Sequence, residues 1–257
     1  MPVHLVTVDD VMSHAVGLVK QVKGVLSDTA LYEACEDSLN HAKDELAEDL
    51  ETYWEKTVIR QTTDEPGAYV REPGIDYNPL SMPTYGTPRW TTRRRPIISV
   101  EEVRLMFNPG ATAITIPAEW YRGHVDWRTG TVAILPYGMS GSAYMGAAVW
   151  YLPLLQGGMG AHPIPNLVCI DYTAGWYDPA ADTLPPGSAA VANGITHAAV
   201  LGVMQRVARL IPTSVSTDGF SQTFPNWERE MENNQKEVER FKRWWDSHYR
   251  PVSIVMV

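Results

Sequence analysis

Cysteine and uninterrupted apolar runs are scarce in this chain, and it carries no excess of positive charge. Each shortage excludes something. Two cysteines, Cys35 and Cys169, with no CxxC spacing, are too few for a disulfide framework and are expected as small buried hydrophobes in a reducing compartment. The longest charge-free apolar run, near 143–155, is broken by Pro153 and falls short of the roughly 18 to 20 residues a spanning helix needs, so no membrane partner is expected. The opening MPVHLVTVDD lacks a basic stretch and a small-residue cleavage site, which predicts no secretory signal. A net charge of −9 and a pI near 5.2 argue against electrostatic wrapping of nucleic acid, because phosphate binding needs clustered Lys and Arg to release counterions.

What is present is enough apolar material for a real core: 257 residues, 44% of them apolar, which at roughly 100 to 200 residues per domain makes one large or two small domains. The charge is uneven. Residues 1–60 hold twelve Asp and Glu against five Lys and Arg, −7 of the total −9. Thr7 and Asp10 have the spacing of a cap for a helix over about 8–26, and Ser27 with its neighbours caps the next. From Leu31 the apolar positions Cys35, Leu39, Ala42, Leu46, Leu50 and Tyr53 follow at gaps of three and four, which predicts a helix over 29–59, about 45 Å long.

Pro66, Gly67, Pro73, Gly74, Pro79, Pro83, Gly86, Pro88 and Pro96 make 61–96 an extended linker or long loop. Short branched-residue runs at 97–107, 113–116, 125–127, 131–135 and 167–173 then read as strands, with a hairpin turn at Gly130. Helical patterning returns with Ile195, Ala199, Val203, Val207 and Leu210 on one face, stopped by Pro212. After a polar loop at 213–225, a last helix over 226–248 carries a heptad seam: Trp227, Met231, Asn234, Val238, Phe241, Trp245 and His248, with Asn234 a polar member suited to fixing register. The expected fold class is α+β: a helical bundle built from N- and C-terminal helices, with an inserted antiparallel β domain or barrel-like sheet. The expected organisation is N-terminal helices over 1–60, the linker at 61–96, the β domain at 97–180, C-terminal helices at 181–250 and a tail at 251–257.

Chemistry is hard to assemble from these residues. The histidines at 4, 14, 41, 124, 162, 197 and 248 show neither i,i+4 nor HxH spacing, so no metal site is expected. Gly138-Met-Ser140-Gly-Ser142 lacks the second glycine of a nucleophile elbow, and no GxxxxGK[ST] or GxGxxG is present. No catalytic residue and no cofactor are expected. Carboxylate pairs such as Glu33 with Asp37, and Glu45 with Asp49, form an acidic helix face that is either simply solvated, opposed to a basic partner, or the lining of a DNA passage. Arg93, Arg94 and Arg95 are the one concentrated basic patch: a solvated face or subunit ion-pair donor, or else a phosphate contact. The 42 residues 129–170 contain no Asp, Glu, Lys or Arg. This uncharged stretch either joins the core or forms a subunit or tail-side interface, for which Met145, Trp150, Tyr151 and Met159 are the candidates.

Four stretches together resemble the head-tail connector (neck adaptor) proteins of tailed bacteriophages: the acidic helix at 27–56; RPIISVEEV at 95–103 with IPAEW at 116–120 and VDWRTGTVAIL at 125–135; IDYTAGW at 170–176; and STDGFSQ at 216–222 before the last helix. The resemblance implies a non-enzymatic virion protein assembled in the host cytoplasm. It would form a homo-oligomeric ring, commonly of twelve copies, beneath the portal protein, meet stopper or tail proteins, and let genomic DNA pass without sequence-specific binding. On this reading Trp244, Trp245, Tyr249, Arg250, Val252 and Ile254, an aromatic cluster with an apolar extension, are the expected portal-docking residues. Two other readings stay open: a tail terminator or other tail-completion protein, and a hydrolase using Ser140 or a carboxylate pair.

Overall fold

The computed structural model describes residues 5–15, 27–60, 70–71, 89–105, 114–134, 168–181, 183–207, 214–217, 220–223 and 227–250. The chain is mixed helix and sheet, an α+β arrangement, and divides into two units: 1–50 with 177–247, and 51–176 with 248–257.

The first unit is mainly helical. Helix α1, Val8–His14, opens on a complete capping box: the Asp10 amide donates to Thr7 Oγ1 at 3.3 Å, and the Thr7 amide donates to Asp10 Oδ2 at 2.8 Å. The expected continuation over 16–26 lies outside the described residues. Helix α2, Asp28–Asp49, begins where Ser27 Oγ accepts the Ala30 amide at 3.2 Å, and it buries Leu31, Cys35, Leu39, Ala42 and Leu46, the predicted stripe. It stops ten residues short of the expected end. Glu51 adopts φ 51°, and its carbonyl accepts the Arg95 amide at 3.0 Å, so a partner 44 residues away captures the chain as it leaves the helix.

Helix α3, Ser188–Val207, turns Val191, Ile195, Ala199, Val203 and Val207 into the core and packs against α1 and α2. Helix α4, Trp227–Tyr249, follows the predicted seam from Met231 through Asn234 and Val238, half-buried, to Phe241 and Trp245, buried, whereas His248, the last expected member, is exposed. Gly194 makes their seating possible: a Cβ there would sit 2.3 Å from Phe241 Cγ, so the α3 backbone offers the ring a glycine-sized notch. The segment expected as a polar loop instead carries a hairpin, β9 (Ser214–Thr217) with β10 (Phe220–Thr223), four register pairs long.

The second unit is built on β1 (Thr57–Arg60), β2 (Val70–Arg71), β3 (Arg89–Thr91), β4 (Ile97–Leu105), β5 (Ile114–Thr115), β6 (Val125–Asp126), β7 (Thr131–Ala133) and β8 (Val168–Ala174). One sheet runs β2-β1-β8-β4-β5, antiparallel except for the β1–β2 pair, and another runs β3-β7-β6. No closed barrel forms among the described residues. β8 is buried at all seven positions, as a central strand should be, and its long pairing with β4 contains two register shifts. Around it lie Ile59, Trp90, Val103, Trp120, Val132, Ile170 and Tyr172. The proline-rich 61–96 segment does supply strands, but β2 and β3 both lie at sheet edges, where a missing amide donor is tolerated. The Gly130 turn forms as expected. Its φ is 69°, and a Cβ would meet Thr92 Oγ1 at 2.4 Å.

Candidate interface residues

The basic triplet is not an open patch. Arg94 is 9% and Arg95 7% exposed; only Arg93 is half-buried. The Arg95 guanidinium pairs with the Glu51 carboxylate, while the Arg94 guanidinium lies 4.9 Å over the Tyr53 ring and donates to the Thr52 carbonyl at 3.4 Å. The Arg94 amide also donates to Tyr172 Oη at 3.2 Å, on the central strand. Two of the three arginines therefore hold the 51–53 segment of their own unit, and neither presents a free face to a phosphate.

A second internal pair sits on the sheet. Arg104 on β4 is salt-bridged to buried Asp171 on β8, and Arg104 Nε lies 3.4 Å from the Glu102 carboxylate. The sequence offered no spacing rule for this pair, because its members are 67 residues apart.

The acidic helix face is real and partly compensated. Glu33, Glu36, Asp37, Asp44, Glu45, Glu48 and Asp49 on α2 are exposed. Asp37 meets Arg206 of α3 at 3.2 Å, and Asp49 meets Lys242 of α4. On α4, Glu232 and Lys236 pair at 2.7 Å, and Arg243 Nε donates to the Glu239 carbonyl at 3.4 Å. Counted by unit, the first holds nineteen Asp and Glu against ten Lys and Arg, and the second eleven against eleven. The whole net charge of −9 therefore resides on the helical unit.

A cleft of about 350 Å³ opens between α2, α3 and α4, with Ser38, His41, Glu45, Gln205, Glu239 and Lys242 among its walls. In its walls His41 Nε2 lies 3.9 Å from the Glu45 carboxylate, while Ser38 Oγ is buried without a hydrogen-bond partner among the described residues, so no serine–histidine bond forms there. Both thiols are buried, and burial pushes the Cys35 and Cys169 pKa values up, so each is held as an unreactive thiol. Among the described residues no three His, Cys, Asp or Glu gather to hold a metal ion, and no helix is long and apolar enough to cross a membrane.

The expected docking cluster divides. Trp245 is 1% exposed and belongs to the core, stacked edge-on to Phe241 at 6.2 Å between ring centroids. Trp244 and Tyr249 are half-buried and Arg250 is exposed. The Tyr249 hydroxyl accepts the Trp176 Nε1 proton at 3.0 Å, within the second unit. Val252 and Ile254, together with Met145, Trp150, Tyr151, Met159 and Ser140, lie outside the described residues. Sequence reasoning missed three exposed large side chains, Tyr32 on α2 and Ile98 and Trp127 of the β unit. The Ile97 amide donates to the Trp127 carbonyl at 2.8 Å, so Ile98 and Trp127 lie on neighbouring backbone. The only advance signal was the doublet Ile97-Ile98, of which a strand can bury one member per face. No family model matches the chain, and no curated protein matches it.

Proposed function

We propose that this chain is a structural protein of a tailed-phage virion, a head-tail connector. Its copies would form a ring, commonly of twelve, beneath the portal, join stopper or tail proteins below, and pass the genome without reading it. The observation that carries the reading is the segregation of charge: the helical unit bears the full −9, and the β unit is neutral. A surface of one sign repels DNA phosphates along a passage, while a neutral surface with exposed Ile98 and Trp127 suits contact between proteins. The helices from both chain ends are read as the bundle of such a connector and the middle of the chain as its inserted β domain. A heterologous contact, one patch on a different patch of the next copy, closes into a ring where the rotation permits.

Portal docking is assigned to Trp244, Tyr249 and Arg250 with the apolar 251–257 tail, including Val252 and Ile254. Trp245 serves as their core anchor. A chain ending at Arg250 tests this, because it keeps the Tyr249 bond to Trp176. The expected result is a folded protein that no longer joins portal-bearing heads, and normal joining would remove the 251–257 tail from the docking assignment. Co-purification separates connector from terminator: a connector stays with DNA-filled tailless heads, a terminator with free tails.

A further inference from the structure

Two histidines that are far apart in the chain meet in the helical unit. His14, exposed at the end of α1, and His197, half-buried on α3, have ring centroids 6.1 Å apart with planes at 80°. Their tautomers follow from what each ring touches. His14 Nδ1 lies 3.1 Å from the Asp10 carbonyl, which can only accept, so Nδ1 carries the proton. His197 Nδ1 lies 2.8 Å from Asn234 Oδ1 on α4. The Asn234 amide is oriented by its own donation to the Glu230 carbonyl at 2.9 Å, which leaves Oδ1 as the acceptor facing His197. In its neutral form each ring therefore holds Nδ1–H against a fixed acceptor and keeps Nε2 as the lone-pair nitrogen. This is the arrangement in which an outer partner orients a metal-ligating imidazole and raises its basicity.

We propose that His14 and His197 form a two-histidine site for a first-row divalent metal such as zinc, clipping α1 to α3, with water completing the coordination. Two imidazoles on one zinc at Nε2 distances of about 2.0 to 2.1 Å place their centroids roughly 5 to 6 Å apart, close to the 6.1 Å between these two rings. The surrounding charge favours a cation. Asp9 and Asp10 stand on α1, and the unit carries net −9. Asn234 is a positioning residue, not a ligand.

Zinc chloride titrated into the full chain by calorimetry, with histidine ring resonances followed by NMR, tests the site. One equivalent should bind with shifts at both His14 and His197. H14A, at an exposed position, and H197A should each abolish that equivalent. N234A should weaken it roughly 10- to 100-fold, the usual effect of removing an outer partner. Unfolding curves without metal check that each variant is folded. Zinc affinity unchanged in a folded H14A, or binding with resonance shifts at other histidines only, overturns the proposal.

Discussion

Asp171, Arg94 and Arg95 are the charged side chains most deeply placed in the described structure, and each is held by a partner distant in sequence. A buried ion pair contributes little net stability, yet removing one member strands the other charge. Asp171→Ala is therefore expected to cost about 3 to 5 kcal/mol in urea unfolding, because Arg104 would keep a buried guanidinium without its main carboxylate. Glu51→Ala should cost less, about 1.5 to 3 kcal/mol, since the Glu51 side chain is half exposed and solvent replaces part of the lost bond to Arg95. The triplet at 93–95 was visible as charge, but its direction was not: an arginine looks the same in sequence whether it faces water or Glu51. The thiols were legible. Neither Cys35 nor Cys169 should react with a thiol reagent in the native protein, and both should react at once in urea.

The elements followed local pattern where local forces dominate. The α2 stripe from Leu31 to Leu46, the α3 stripe from Ile195 to Val207, the α4 seam from Met231 to Trp245 and the Gly130 turn appear at the predicted residues, because i,i+3 and i,i+4 spacing and positive φ are properties of adjacent residues. The α2 end failed because the Arg95 amide, not any capping residue, takes the Glu51 carbonyl. On α4, Trp245→Ala should cost about 3 to 5 kcal/mol as a core truncation. Gly194→Ala should cost about 1 to 3 kcal/mol by forcing the Phe241 ring from its notch. At the α1 cap, Thr7→Ala should cost about 1 kcal/mol near neutral pH. Asp10 has its pKa lowered in the folded state, first by the Thr7 amide bond and then by the Thr7 hydroxyl. Its contribution is therefore present above the ordinary carboxylate range and lost as pH falls through the lowered folded value. The gap between wild type and Thr7→Ala in urea midpoint should accordingly narrow below about pH 4.

At the scale of the whole molecule the governing quantity is where the charge sits. A unit of net −9 repels itself, so added salt should stabilise it. Raising sodium chloride from about 10 mM to about 150 mM shortens the Debye length from roughly 30 Å to roughly 8 Å, and the urea midpoint of the helical unit should rise. A falling midpoint would mean that the cross-helix pairs Asp37–Arg206 and Asp49–Lys242 outweigh the repulsion. The amino-acid sequence by itself determined the α+β class, the helix faces and the acidity of the amino-terminal stretch, because these depend on neighbours a few residues apart. Only the tertiary structure decided that two of the three clustered arginines are interior fasteners, that Trp245 is core, and that His14 meets His197. Those pairings join residues tens to hundreds of positions apart, and no periodicity in a chain specifies which distant partner will satisfy a buried charge or a ring nitrogen.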